Sequence, residues 1–144
     1  MKGSVKSWVI AVVFCCFAFS PTVQAQEAFR LRLTMMPIEL ATRDRVTGSG
    51  SGSARLEGQQ LSVSGSFMDM DGPATVARVH ESPVLGVRGP SISDLEVTLA
   101  TKGEISGEVE LTTEQVESLR KRRLYIQIHS TSAPDGNLWG WLVP

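Results

Sequence analysis

Cysteine and histidine are nearly missing from this chain of 144 residues: each occurs twice. Both cysteines, Cys15 and Cys16, sit side by side near the N-terminus. A disulfide framework is therefore excluded, as are zinc fingers and most metal clusters, which need three or four such ligands. Charge of one sign is lacking too. Fourteen basic side chains face 15 acidic ones, which argues against the broad cationic surface that general nucleic-acid binding needs. The length suits one ordinary domain and falls short of a multidomain enzyme, and no repeat of about 20–50 residues is visible. Hydrolase machinery is also wanting. No GxSxG elbow occurs, and neither histidine has a partner carboxylate at a recognisable spacing. Paired acids for glycoside cleavage can converge from distant strands, but nothing in the spacing points to them. The run Thr47–Ser53 (TGSGSGS) lacks the lysine of a phosphate-binding loop. A non-enzymatic protein is expected.

What is present begins with an export signal. Lys2 and Lys6 precede twelve apolar residues, Trp8 to Phe19, which Ser20 and Pro21 terminate. Val23-Gln24-Ala25 supplies the modest side chains a signal peptidase reads, so cleavage is expected after Ala25. Twelve residues are too few to span a bilayer, which takes about twenty. Phe14 before Cys15 is too bulky for a lipid-attachment box, so no stable membrane anchor is expected once the leader is gone. Residues 1–25 are thus read as a signal peptide and 26–144 as a single domain, periplasmic or extracellular. Loss of Lys2 and Lys6 leaves 12 basic against 15 acidic side chains, a net charge near −3, and no cysteine. Such a domain must hold together by its hydrophobic core.

The pattern beyond residue 26 has a period of two. Phe29, Leu31, Leu33 and Met35 alternate with Arg30, Arg32 and Thr34. Leu61, Val63, Gly65 and Phe67 alternate with serines and Gln60, and Gly58-Gln59 before them is read as a hairpin turn from Ala54 and Leu56. Thr47–Ser53 is expected to be a flexible loop. Thr75–His80, Leu95–Leu99, Ile105–Leu111, Leu124–Ser130 and Leu138–Val143 read as further strands, with loops at Ser82–Pro90 and Ala133–Gly136. One short helix is expected over about 113–121: Thr112 and Gln115 have capping-box spacing, and Arg120–Arg123 closes it. The fold class is all-β, a Greek-key-like sandwich or barrel of seven to eight strands.

Two groups of residues are candidates for function. His80 and His129 each end a strand-like run, and together they are the start of a metal site; Met35, Met36, Met68 and Met70 would suit Cu(I). The plainer interpretation is hydrogen-bonded strand-end histidines and gap-filling methionines. Trp139 and Trp141 share one face of the last strand and, with Tyr125, are all the Trp and Tyr beyond the leader. They serve either as a ligand platform, a candidate binding surface of Arg78, Tyr125, Trp139 and Trp141, or as closure for one end of the core. The run Arg120-Lys121-Arg122-Arg123 is read as a solvated helix terminus.

The order of these features resembles the CHRD domain, the module repeated in chordin and found singly in many exported bacterial proteins. The likeness covers most of residues 29–142. It is carried by Leu61–Gly65, by Ala77-Arg-Val-His80 before a loop ending Gly89-Pro90, and above all by Leu124–Thr131 with Pro134, Gly136 and Leu138–Leu142. The family pattern has histidine-x-histidine where this chain has Arg78-Val79-His80, arginine at the place of Trp139 and a polar residue at the place of Trp141. Its N-terminal glutamate-valine-proline-proline stretch is barely visible around Met36-Pro37-Ile38-Glu39. A ligand role of the first family histidine does not carry over to Arg78. A fainter similarity is to the copper-zinc superoxide dismutase sandwich, where His80-Glu81 and His129 match two ligand positions and the other ligands are absent.

The resemblance implies an exported β-sandwich acting as a binding or structural module on an unknown protein or envelope component, without nucleic acid and without a cofactor. The alternative is a copper- or zinc-binding protein in which His80 and His129 converge.

Overall fold

Alternating side chains need a sheet with one dry face, and this chain provides it by closing the sheet on itself. The computed structural model describes residues 25–36 and 43–144. The leader, except Ala25, and the Pro37–Glu39 part of the stretch at Met36 lie outside the described residues. The strands are β1 (Gln26–Met35), β2 (Ser49–Glu57), β3 (Gln60–Met68), β4 (Ala74–Glu81), β5 (Ser91–Val97), β6 (Gly103–Glu110), β7 (Leu124–Ser130) and β8 (Leu138–Val143). The helix α1 spans Thr113–Arg120, and a single 3-10 turn spans Arg43–Arg45. All strand pairs are antiparallel and close in the order β1-β2-β3-β6-β5-β4-β7-β8, with β8 returning to β1. The connections β3–β4 and β6–β7 cross over the barrel, the latter through α1. An all-β Greek-key barrel with one short helix is thus the architecture.

The period-two pattern explains the packing. Phe29, Leu31 and Leu33 of β1, Leu61, Val63 and Phe67 of β3, Ala77 and Val79 of β4, Ile126 and Ile128 of β7, and Leu138 and Leu142 of β8 are all buried in one cluster. The alternate residues, among them Arg30, Arg32, Ser51, Ser64 and Ser66, are exposed. Apolar inside and polar outside is the inverse of a membrane-spanning barrel. Among the described residues no helix is long and apolar enough to cross a membrane.

The segment Thr47–Ser53 corrects the expectation of a flexible loop: from Ser49 onward it belongs to β2. Its serines point outward and its glycines inward, so the apolar side chains come from the neighbouring strand. Leu33 is paired with Gly50 and Leu31 with Gly52. Gly52 also faces Gly65 across β2 and β3. A Cβ at Gly52 would lie 2.3 Å from the Ser64 carbonyl oxygen and 2.7 Å from the Gly65 Cα, so the close approach of these strands depends on glycine.

The helix forms for the local reason the sequence suggests. The Gln115 amide N–H donates to Thr112 Oγ1 at 3.2 Å, and the Thr112 N–H donates to Gln115 Oε1 at 2.9 Å, a complete capping box. Val116 and Leu119 are buried against the end of the barrel, beside Leu111 and Leu124. Arg120 pairs with Glu117 on its own helix at 2.9 Å and with Glu27 of β1 at 2.6 Å. One member of the basic run thereby ties the helix to the first strand, a contact its spacing did not disclose.

Candidate functional site

The outer face of β4, β7 and β8 is covered by packed aromatic rings and by a loop. The register sets Arg78 beside Gln127 and Gln127 beside Trp139; one step along, His80 faces Tyr125 and Tyr125 faces Trp141. Strand alternation therefore places Arg78, His80, Tyr125, Trp139 and Trp141 together from three segments of the sequence. The Tyr125 ring is fully buried. It stacks on His80 (centroids 4.9 Å apart, planes at 16°) and meets Trp141 at 4.7 Å and Trp139 at 5.9 Å. The two indoles touch each other edge to face at 5.6 Å, a geometry that aligns ring edges with ring faces. Both remain partly exposed. The barrel interior is filled without them, and they pack outside it on Tyr125.

The cover over this face is the Ser82–Pro90 segment. Ser82, itself buried, has its hydroxyl against the carbonyl oxygens of Val84 and Val87, and its N–H donates to the Arg123 carbonyl at 2.8 Å. The Gly89 N–H donates to Tyr125 Oη at 3.1 Å, and the Gly89 carbonyl accepts from His80 Nδ1 at 2.9 Å. A Cβ at Gly89 would fall 1.7 Å from the Glu81 carbonyl oxygen, so only glycine lets the loop lie this close. Arg88 Nη2 donates to the Asp135 carbonyl at 2.8 Å, joining this loop to the one before β8.

The two histidines share the face but stand apart. His129 pairs with Val76, four positions along β7 from Tyr125, so about 13 Å of strand separates it from His80's row. Between them lies Gln127. Both ring nitrogens of His129 are engaged: Nδ1 donates to the Pro134 carbonyl at 2.7 Å, and Nε2 accepts from Gln127 Nε2 at 3.0 Å. Nε2 of His80 and Oε1 of Gln127 are buried and have no hydrogen-bonding partner among the described residues. Burial lowers the His80 pKa; the Gly89 carbonyl partly opposes this, and the cationic charge of Arg78 and Arg88 adds to it. Among the described residues no group of three or more His, Cys, Asp or Glu side chains is placed to hold a metal ion. Met35 and Met68 are exposed and Met36 and Met70 buried.

Arg78 is already paired, with Asp94 of β5 at 2.7 Å. The pair is solvent-exposed and worth about 0–1 kcal/mol. Sequence reading missed Gly89, which holds Tyr125 and His80, and Gln127 and Arg88, which both donate to the Asp135 carbonyl beside them. A signal for Gly89 was present in its place before Pro90; Gln127 and Arg88 carried none, because the Asp135 carbonyl that both reach is set beside them only by the fold.

The family model described as the CHRD domain matches residues 35–142. No curated protein and no solved structure matches the chain.

Proposed function

From the premise that this chain belongs to the CHRD domain family, we propose that it is an exported, non-enzymatic binding module that engages an envelope component or protein through the face carrying Trp139 and Trp141. The CHRD domain is not a known enzyme family, and CHRD domains are typically in secreted proteins. The apolar run ahead of Val23-Gln24-Ala25 supports export on its own chemistry. The observation that carries the binding role is the placement of two partly exposed indoles outside a barrel already filled without them, held on the buried, hydrogen-bonded Tyr125. Large rigid aromatic surface of this kind is the usual anchor of an interface.

Two measurements test it. The protein expressed with its own N-terminus should be recovered outside the cytoplasm and begin at Gln26 by mass; uncleaved cytoplasmic product refutes export. Purified protein should co-sediment with cell-envelope material. The paired change Trp139→Arg with Trp141→Ser uses residue kinds the CHRD pattern favours there and should abolish that retention while leaving the circular-dichroism spectrum intact. Undiminished retention overturns the role of the two tryptophans.

A second reading, copper or zinc bound through His80 and His129, has one observation in its favour, the buried and unpartnered Nε2 of His80. The engagement of both His129 nitrogens weighs against it. Titration with Cu(I), Cu(II) and Zn(II), followed by calorimetry in the wild type and in His80→Ala/His129→Ala, decides. Absence of a saturable site lost in the double variant removes this reading.

A further inference from the structure

Outside β8, β1, β2 and β3 the side chains form cross-strand rows. Arg32 stands opposite Ser51, which stands opposite Ser66; Arg30 stands opposite Ser53, which stands opposite Ser64. Because Arg30 pairs with Val143 and Thr34 with Trp139, the same register sets Trp141 across from Arg32. A groove of about 740 Å³ lies on this face, bounded by Arg30, Arg32, Thr34, Ser51 and Trp141. Two smaller hollows continue it across β2 and β3, one of about 420 Å³ reaching Ser66 and one of about 330 Å³ at Ser53, Arg55 and Ser64. Arg30, Arg32 and Arg55 are exposed and form no ion pair among the described residues. Beyond β3, the next row toward β6 brings Glu104 opposite Ser66 and Glu108 opposite Ser62, so the cationic stretch has an acidic border.

The chemistry of this surface selects among ligands. A closed barrel offers no free edge, so an extended peptide cannot add to it as a strand. Three arginines on a domain of net negative charge are too few for a nucleic-acid backbone, where affinity rests on many phosphate contacts. The surface is an open, largely apolar groove edged by the guanidinium groups of Arg30 and Arg32 and the hydroxyls of Thr34 and Ser51, rather than the protruding apolar tip of a membrane-inserting face. Three features fit a different polyanion. The Trp141 indole offers a flat apolar surface to the C–H face of a sugar ring. Serine and threonine hydroxyls both donate and accept, matching sugar hydroxyls. Arginine guanidinium groups recognise carboxylates in a two-pronged geometry.

We infer that this groove binds an acidic polysaccharide, a polymer of uronate-type sugars, with Trp141 under one ring and Arg30 and Arg32 on its carboxylates. The inference names the ligand class of the binding module proposed above and rests on that reading.

Affinity electrophoresis and titration calorimetry with polygalacturonate, against neutral dextran, test it. The protein should bind polygalacturonate, lose affinity as salt is raised, and ignore dextran. Arg30→Ala/Arg32→Ala should weaken binding about ten-fold or more with an unchanged melting midpoint, since both side chains are exposed. Lys102→Ala, an exposed change in the β5–β6 turn, should have no effect. The inference is overturned by equal binding to dextran, by indifference to the double arginine change, or by preference for a single-stranded oligonucleotide or for phosphatidylglycerol vesicles. If envelope retention depends on Trp139 and Trp141 while polygalacturonate does not bind, the polysaccharide assignment fails and the binding module stands. If neither is seen, both fall.

Discussion

His80 has an obligation on one ring nitrogen and none on the other. The Gly89 carbonyl oxygen can only accept, so the proton sits on Nδ1. Protonating Nε2 would add a second N–H where no acceptor is within reach. Burial is the largest cause of the lowered pKa, and the sign of its effect on stability follows. The unfolded chain takes up the proton near the ordinary value of 6.5, whereas the folded chain resists until lower pH. The stability contribution is therefore complete above 6.5 and is lost as pH falls through that value toward the folded one. Urea midpoints measured from about pH 7.5 down to about pH 5 should decline in the wild type, and His80→Gln should flatten that decline. An unchanged slope would show that another group sets it. Glu27, held low chiefly by its hydrogen bonds from Arg120, acts in a separate window below 4.5 and should be unaffected by the change. Gly89→Ala is a second residue-scale case. Its Cβ would collide with the Glu81 carbonyl, and release of the loop would strip Tyr125 and His80 of their partners. A loss of about 2 kcal/mol or more in chemical denaturation is expected; a neutral result would mean the loop shifts at little cost.

At the scale of elements, the helix and the β2–β3 pair show what sequence patterns can and cannot reveal. The capping box at Thr112 is local, so its residues announce it. Thr112→Ala should cost about 1 kcal/mol in denaturant unfolding, and no change would mean the helix is fixed by Val116 and Leu119 alone. β3 was legible because Leu61, Val63 and Phe67 carry their own hydrophobic signal. The first half of β2 was not, because its inward positions are glycines and the apolar groups that fill the space, Leu31 and Leu33, belong to β1. Gly52→Val would supply the missing β-propensity and still destabilise, since its side chain would meet the Ser64 carbonyl. Thermal melting of Gly52→Val separates propensity from space: a gain in stability would contradict the close-packing account. The candidate site followed the same logic. Trp139, Trp141 and Tyr125 are adjacent enough in sequence to be noticed, whereas Arg30 and Arg32 read only as a polar face until the register set them beside Trp141.

For the whole molecule the deciding contact is the one between its first and last strands. Greek-key order joins segments far apart in sequence, and β1 meets β8 through pairs such as Arg30 with Val143 and Leu31 with Leu142. Such pairing must await the rest of the barrel, because the entropy of closing so long a loop is recovered only by contacts made late. It also abolishes the two edges that an open sheet would present. Removing β8 by ending the chain at Asn137 exposes β1 and β7 as edges and deletes Leu138 and Leu142 from the core. That truncation should sediment as aggregate and lack a cooperative melt. Removing residues 1–25 should leave the melt unchanged, because every barrel strand begins after them. A soluble, cooperatively melting chain without β8 would show instead that the seven remaining strands form a self-sufficient sheet. In that case Trp139 and Trp141 would sit on a separable element, and their role in binding would not depend on barrel closure.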